Sequence, residues 1–317
     1  MDATRQIVDL PVEGHVPGFD GATGWLNSPP LTAADLSGKV VLVDFWTYTC
    51  INWLRTLGYV RAWAERYADH GLVVIGVHTP EFPFERDLDN VRWAAKVMSV
   101  EYPIAVDSDY GVWDAFGNRY WPAAYFADAE GRIRHHQFGE GGYDECERVI
   151  QRLLRDAGRA GVPDDVVSVN PQGLEAQADW ATLESPETYL GSTQGQNLAR
   201  VAPAELERNQ WALTGDWTIE RGASVLNAAE GGIGLRFHAR DLHLVLRPRE
   251  GPVPFRVLVD GEPPGEAHGL DIDEQGNGTL AEPRLYQLVR QRGRITDRLF
   301  EITFLGPGVE AYAFTFG

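Results

Sequence analysis

The sequence has only two cysteines, Cys50 and Cys146, in 317 residues. Two thiols are too few for a disulfide-stapled scaffold or for a thiolate zinc site. The eight histidines form no ligand pattern, so we predict neither a metal nor any other cofactor. No run of 18 apolar residues is present, which excludes a transmembrane helix within this sequence. The first residues also lack the basic and then apolar order of a signal peptide.

Positive charge is scarce as well. The 28 lysines and arginines face 46 aspartates and glutamates, which gives a formal net charge of −18. Such an excess of negative charge repels phosphate backbones and anionic membrane surfaces. We therefore predict no nucleic-acid partner. The hydrophobic content of 44% is sufficient for a globular core, and the length of the chain favours two domains.

The first half of the sequence alternates strand and helix patterns. Val40–Phe45 and Leu72–Val77 are continuous apolar runs, typical of strands that are buried on both faces of a sheet. Between them, apolar residues recur at three- and four-residue spacing from Cys50 to Gly71, which predicts a helix. A hairpin around residues 128–131 and a helix over Asp144–Asp156 follow. This order predicts one α/β domain over residues 1–156.

The pattern changes after residue 156. Residues 157–197 are rich in Gly, Pro, Asp and Ser with little periodicity, which predicts a linker that packs on the domains. Residues 198–317 contain short alternating segments separated by turn clusters such as Asp260-Gly261. That spacing predicts an all-β domain, an antiparallel sandwich of the jelly-roll type.

Cys50 follows a predicted strand and opens a predicted helix. A thiol at a helix N-terminus faces unpaired backbone N–H groups and the positive end of the helix dipole, which lower its pKa. The alternative is an inert, buried cysteine.

Cys146 has a different setting, because it shares one helical face with apolar residues and is predicted to lie in the core. These residues are Val149, Ile150, Leu153 and Leu154.

Asp44 lies inside the apolar strand, six residues before Cys50. A carboxyl group in such a place is costly unless it is hydrogen-bonded or neutral. Burial should raise its pKa, and an acid of that kind suits the handling of a proton for a nearby sulfur. Trp53 stands one helical turn beyond Cys50, so no second thiol is available there.

Four motifs carry a family resemblance: Asp44-Phe-Trp46, Cys50 six residues after Asp44, Gly76-Val-His-Thr-Pro-Glu81, and Trp121-Pro122 before a strand. With them the first domain resembles the thioredoxin-like TlpA/AhpC-TSA family. The whole chain resembles the extracytoplasmic C-terminal region of DipZ-type proteins. In those proteins a thioredoxin-like domain precedes a sandwich similar to a carbohydrate-binding module. The resemblance implies a location in the periplasm or cell envelope, although this sequence has no export signal or anchor.

The resemblance also implies roles for individual residues. Cys50 would be the attacking thiol, Asp44 the acid that handles its proton, and Glu81 a second carboxylate facing the sulfur. Pro122 would form a cis peptide bond beside a substrate groove. The groove would be lined by Trp46, Thr49, Trp53, Trp121 and Pro122.

Two positions depart from the family pattern, because Trp53 stands where the family has cysteine and Gly58 where it usually has proline. We therefore predict a thiol–disulfide oxidoreductase that acts through Cys50 alone, with impaired dithiol chemistry. Its partners would be a disulfide-containing or oxidised thiol substrate and an external thiol reductant. Glycine inside a helix costs roughly 1 kcal/mol relative to alanine, so the sequence predicts that Gly58→Ala raises the melting temperature.

Two other functions fit the same residues. A one-cysteine thiol peroxidase would use Thr47, with Arg55 or Arg119 as the arginine, although Val43 stands where the peroxiredoxin pattern has proline. A redox-silent binding protein would have Trp53 filling the redox site and a glycan or protein ligand on the sandwich. The aromatic residues that could stack on a sugar are Trp211, Trp217, Tyr286 and Tyr312.

Overall fold

The computed structural model describes residues 10–317, which divide into one unit that ends at Glu175 and another that begins at Ala176. The strands of the first unit are β1 (Gly14–His15), β2 (Gly24–Leu26), β3 (Val40–Trp46), β4 (Leu72–His78), β5 (Ile104–Val106), β6 (Ala123–Ala127) and β7 (Arg132–Phe138). Its helices are α1 (Ala33–Leu36), α2 (Ile51–Tyr67), α3 (Leu88–Val97), α4 (Gly111–Phe116) and α5 (Tyr143–Asp156). Within residues 10–317, no helix has both the length and the apolar character that crossing a bilayer requires.

The seven strands form one sheet in the order β1-β7-β6-β3-β4-β5-β2. β3, β4 and β5 are parallel neighbours, whereas β6 runs antiparallel to β3. Every residue of β3 is buried, as expected for a continuous apolar run at the centre of a sheet. The carboxyl end of β3 leads directly into the segment that carries Cys50.

The register of β3 and β4 places Asp44 beside Gly76 and Trp46 beside His78. Glycine is required at position 76, because a Cβ atom there would lie 2.8 Å from Nε1 of Trp46. The missing side chain therefore makes room for the Trp46 indole on this face of the sheet.

The predicted α/β elements of the first unit are confirmed, with end points that differ by one to several residues. The sequence analysis missed β1, β2, α1 and α4. These elements have two, three, four and six residues, which is too short for a repeating apolar pattern to emerge.

The segment predicted as a linker is divided between the two units. Its first part packs on α2 and α5: the Gln151 amide donates to the Asp165 carbonyl at 2.8 Å, and the Val167 N–H donates to the buried Glu147 carboxylate at 2.8 Å. Arg61 of α2 forms an ion pair with Glu175 at 2.6 Å. Residues 157–175 therefore pack as part of the first unit and do not form a linker.

The second unit contains eleven strands, β8 to β18, in two antiparallel sheets. They are β8 (Thr188–Tyr189), β9 (Trp211–Thr214), β10 (Trp217–Ile219), β11 (Ser224–Leu226), β12 (Gly231–Phe237), β13 (Asp241–Pro248), β14 (Val253–Val259), β15 (Asn277–Leu280), β16 (Arg284–Arg290), β17 (Arg298–Phe304) and β18 (Val309–Phe316). One sheet has the order β10-β11-β18-β13-β16, with β8 pairing to β18, and the other β15-β14-β17-β12-β9. Both sheets contribute to one apolar core, so the predicted β-sandwich is confirmed.

The aromatic residues considered for sugar stacking are mostly internal. Trp211, Tyr286 and Tyr312 are each at most 3% exposed. Trp217 is partly exposed, and its ring packs edge-on against Phe304 with centroids 6.1 Å apart. The alternative of a sugar platform built from these rings is therefore not supported for three of the four, because their side chains are buried.

The structure adds a second factor to the expectation for Gly58, which considered helix propensity alone. An alanine Cβ there would lie 3.0 Å from Cγ1 of Val169 and 3.2 Å from Oε2 of Glu175. Both neighbours belong to the segment held on α2 by the Arg61–Glu175 ion pair. The lack of a side chain at position 58 thus lets this segment lie close to the helix.

We expect Gly58→Ala to leave the melting temperature unchanged or lower, since crowding offsets the helix-propensity gain of roughly 1 kcal/mol. In a Val169→Ala background, where the closest contact is removed, the same change should raise the melting temperature. Thermal denaturation of the four proteins measures both effects. An equal increase in both backgrounds would show that the segment does not crowd position 58.

Candidate active site

Cys50 is the N-cap residue of α2 and is partly exposed to solvent. Its backbone is extended, with φ −77° and ψ 110°, and its carbonyl accepts the first helical hydrogen bond, from the Leu54 N–H at 3.0 Å. The thiol therefore lies where the unpaired N–H groups and the helix dipole favour an anion. The predicted position at a helix start is confirmed.

The thiol also has an acceptor for its proton. Sγ of Cys50 donates to the carbonyl oxygen of Trp121 at 3.7 Å. The peptide bond between Trp121 and Pro122 is cis, the isomer that the resemblance implied. The Trp121 indole donates to the Thr79 carbonyl at 3.1 Å and packs on Trp113, with ring centroids 4.2 Å apart.

Trp53 is fully buried, one turn into α2. Its indole N–H donates to Oδ2 of Asp44 at 2.9 Å, and its ring stacks on Trp46 with centroids 4.3 Å apart. His78 packs edge-on against Trp46, at 4.8 Å between centroids. Trp53 thus uses its only polar atom on the acid of the neighbouring strand, in the helical turn where a dithiol site would have its second sulfur.

The burial of these rings corrects the predicted substrate groove. Trp46 and Trp53 have no exposed surface, and Thr49 is 1% exposed, so none of the three lines an open groove. Pro122 is buried as well, whereas Trp121 is partly exposed. The two indoles lie below the surface because stacking and the Asp44 hydrogen bond hold them against the sheet.

Asp44 is fully buried. Burial raises the pKa of Asp44 to about 7, and the hydrogen bond from Trp53 opposes that rise. Within the described part of the chain, its second oxygen, Oδ1, has no hydrogen-bond partner. The expectation of a raised pKa is confirmed. Burial also lowers the pKa of His78 to about 3, so this ring is neutral at physiological pH and supplies no charge to balance the carboxylate.

The sequence analysis missed a second buried carboxylate, Glu85, which lies in the 3₁₀ turn Pro83–Arg86. One oxygen accepts the Thr49 hydroxyl at 2.7 Å, and the other accepts the N–H groups of Glu81 and Phe82 at 2.7 and 2.8 Å. Burial raises the pKa of Glu85, against hydrogen bonds that favour the carboxylate. Phe82 is the N-cap of this turn and has no side-chain acceptor, so only the bond from its N–H to Glu85 resembles a capping box, and the sequence carried no clear signal.

Two further residues that were considered for catalysis, Arg55 and Cys146, are buried. Arg55 forms a buried ion pair with Glu140 at 2.8 Å, the two side chains being 1% and 9% exposed. Cys146 is 2% exposed, and burial raises its pKa to about 12, so its predicted place in the core is confirmed. Arg119 is exposed and Glu81 partly exposed. Among residues 10–317, no cluster of three His, Cys, Asp or Glu side chains is arranged to hold a metal.

Comparison with known proteins agrees with this geometry. The AhpC/TSA family model matches residues 13–136, and the model of a thioredoxin like C-terminal domain matches residues 185–317. Protein DipZ of Mycobacterium tuberculosis is 35% identical over 96% of this chain, which spans only 43% of DipZ. Thiol-disulfide oxidoreductase YkuV of Bacillus subtilis is 31% identical over 44% of this chain and 95% of YkuV. A solution structure of a thioredoxin-like protein in the oxidized form shares 33% identity at a TM-score of 0.42, covering 45% of this chain and 96% of that one.

A central parallel β3-β4-β5 sheet and a cysteine at the start of α2 define a thioredoxin-like protein. The chain belongs to the AhpC/TSA family of thioredoxin-like proteins.

The raised pKa of Asp44 predicts a pH-dependent stability. The folded protein keeps this proton up to about pH 7, whereas the unfolded chain releases it near 3.8. The folded state therefore binds more protons between these values, and the free energy of unfolding falls as pH rises through that window. The full effect is roughly 4 kcal/mol at 1.36 kcal/mol per pKa unit.

We expect Asp44→Asn, which keeps an acceptor for Trp53, to raise the melting temperature at pH 8 and to change it little at pH 4. Thermal denaturation at both pH values tests this, with Asp69→Asn on an exposed carboxylate of the same unit as the control. A gain of equal size at pH 4 and pH 8 would contradict the assignment of the proton to Asp44.

Proposed function

We propose that this protein is a thiol–disulfide oxidoreductase that acts through the single thiol of Cys50. The observation that carries the proposal is the position of Cys50 as the partly exposed N-cap of α2, with the position one turn later occupied by a buried tryptophan. Cys146, the second thiol of the sequence, is buried. The similarity to thiol-disulfide oxidoreductase YkuV supports the reaction class.

The chemistry follows from having one thiol. The Cys50 thiolate attacks one sulfur of a substrate disulfide, so that a mixed disulfide forms and the other substrate sulfur leaves as a thiolate. An external thiolate then attacks the substrate sulfur of the mixed disulfide and releases Cys50 in reduced form. Asp44 is proposed to exchange the proton of Cys50, and Glu81 to be the second carboxylate facing the sulfur.

Peroxide reduction receives less support. That reaction passes through a sulfenic acid on cysteine. Arg55, the candidate arginine on α2, is engaged in a buried ion pair with Glu140. The substrate is therefore proposed to be a disulfide, and the reductant an external thiol. The location is proposed to be the periplasm or cell envelope, as the resemblance to DipZ-type proteins implies.

The second unit is proposed to be a jelly-roll sandwich that serves as a structural or protein-docking module. Its strand order supports this, since β11-β18-β13-β16 lie in one sheet and β15-β14-β17-β12 in the other. Every connection from β11 to β18 except the β14–β15 hairpin crosses between the sheets, which is the pattern of two Greek keys. The burial of Trp211, Tyr286 and Tyr312 argues against a glycan as its ligand.

Replacing the nucleophile tests the function directly. We expect Cys50→Ser to abolish turnover of a model disulfide with an external thiol, and Cys146→Ala to retain most of it. Labelling of native protein with iodoacetamide from pH 4 to 9 shows whether Cys50 is a reactive thiol. Equal loss of turnover in both variants, or no labelling of Cys50 at any pH, would contradict the proposal, and the latter would favour a redox-silent binding protein.

A second prediction concerns Trp53. In Trp53→Cys the new sulfur would lie one turn beyond Cys50 and could attack the mixed disulfide intramolecularly, at an effective concentration of mM or above. We expect a reversible disulfide between the two positions and a rise in disulfide reductase turnover of about tenfold or more. Loss of the buried indole should also lower the stability by about 3–5 kcal/mol.

Trp53→Ser is the matched control, because it leaves a cavity of similar size without a thiol. Mass spectrometry after denaturing alkylation identifies the disulfide, and the insulin reduction assay gives the turnover. If mild oxidation leaves both thiols of Trp53→Cys open to alkylation, or if Trp53→Ser gains the same turnover, the interpretation of Trp53 as the replacement of a resolving thiol is wrong.

A further inference from the structure

Glu85 joins the two loops that flank the active-site edge of the sheet. β3 and β4 are parallel neighbours, so the segments that follow them emerge at the same edge. Thr49 lies in the segment after β3, and Glu81 and Phe82 lie in the segment after β4. The Glu85 carboxylate accepts one hydrogen bond from the first segment and two from the second, at 2.7 to 2.8 Å.

Burial makes these hydrogen bonds costly to break. Glu85 has no exposed surface, and Thr49 is 1% exposed. Breaking a hydrogen bond in such a place leaves a polar atom without water to replace its partner, which is far more costly than at a surface. The hydroxyl of Thr49 and the carboxylate of Glu85 are therefore held together, and the backbone of the residue that precedes Cys50 is held with them.

We propose that Glu85 is a positioning residue that holds Thr49, and through it Cys50, at the start of α2. The inference rests on the proposed function of Cys50 as the reacting thiol. The effect of a helix N-terminus on an anion is confined to the first turn. A thiol that shifts away from the N-cap position, when Thr49 is released, therefore loses the stabilisation of its thiolate.

The test is the rate of Cys50 labelling by iodoacetamide as a function of pH. Thr49→Val removes the hydroxyl at nearly constant volume. At pH values below the midpoint of the labelling curve, we expect labelling of Cys50 to be about threefold slower, which is equivalent to an upward shift of about half a unit in the pKa of Cys50. Thr49→Ser, which keeps the hydroxyl, should label at the wild-type rate. In a Glu85→Ala background, which removes the acceptor of the Thr49 hydroxyl, the further change Thr49→Val should have no additional effect, because the two side chains act through one bond.

Thr56→Val is the matched control. Thr56 lies on α2 and is 8% exposed, and its hydroxyl donates to the Asn52 carbonyl at 3.0 Å and lies 3.4 Å from the Tyr143 hydroxyl, away from Glu85. We expect labelling of this variant to match the wild type. Circular dichroism confirms that each variant is folded, and Thr49→Ala replaces Thr49→Val if the valine does not fit.

Several results would overturn the positioning role: wild-type labelling in the variant that lacks the hydroxyl, slow labelling in Thr49→Ser, or equally slow labelling in Thr56→Val. A wild-type protein whose Cys50 does not label at any pH would overturn it as well. Labelling requires no disulfide substrate, so it is independent of turnover. A protein that labels as expected but never reduces a disulfide would support the role of Glu85 and refute only the proposed function.

Discussion

The hydrogen bond between Trp53 and Asp44 is the interaction on which the candidate site depends. It joins the first turn of α2 to the central strand of the sheet, at 2.9 Å and without exposure to solvent. A carboxyl group in the middle of a buried strand requires a donor, and the indole supplies one while stacking on Trp46. The same side chain occupies the position one turn after Cys50, where a dithiol site would have its second sulfur.

Buried carboxylates paired with neutral donors recur through the first unit. Asp44 accepts an indole N–H, Glu85 accepts a hydroxyl and two backbone N–H groups, and Glu147 accepts from Trp63, Tyr67 and Val167. Glu85 and Glu147 join segments that are distant in the sequence, whereas Asp44 joins the neighbouring elements β3 and α2. The neutral donors on Asp44 and Glu85 do not offset the cost of burying a negative charge, which is why burial dominates the pKa values of both groups.

The parts of the site that could be predicted are those with a local signal. Cys50 between an apolar strand and a periodic helix indicated a thiol at a helix start, and Asp44 within the strand indicated a buried acid with a raised pKa. Both are observed. Glu85 had no comparable signal, because its burial results from contacts with residues 36 positions earlier. The same holds for Gly58, whose neighbour Val169 lies more than a hundred residues away in a segment that reads as a linker.

The sequence alone determined the order of the longer strands and helices in the first unit, the all-β character of the second, and a cysteine at a helix start with no second cysteine one turn later. These features depend on residue type and on spacing within one element, which a linear pattern records. Only the tertiary structure decided that Trp46 and Trp53 lie inside rather than along a groove, that residues 157–175 belong to the first unit, and that Glu85 holds Thr49. Those outcomes depend on contacts between side chains that are distant in the sequence. A polar group or an aromatic ring is buried only where a suitable partner meets it, and a linear pattern does not record that partner.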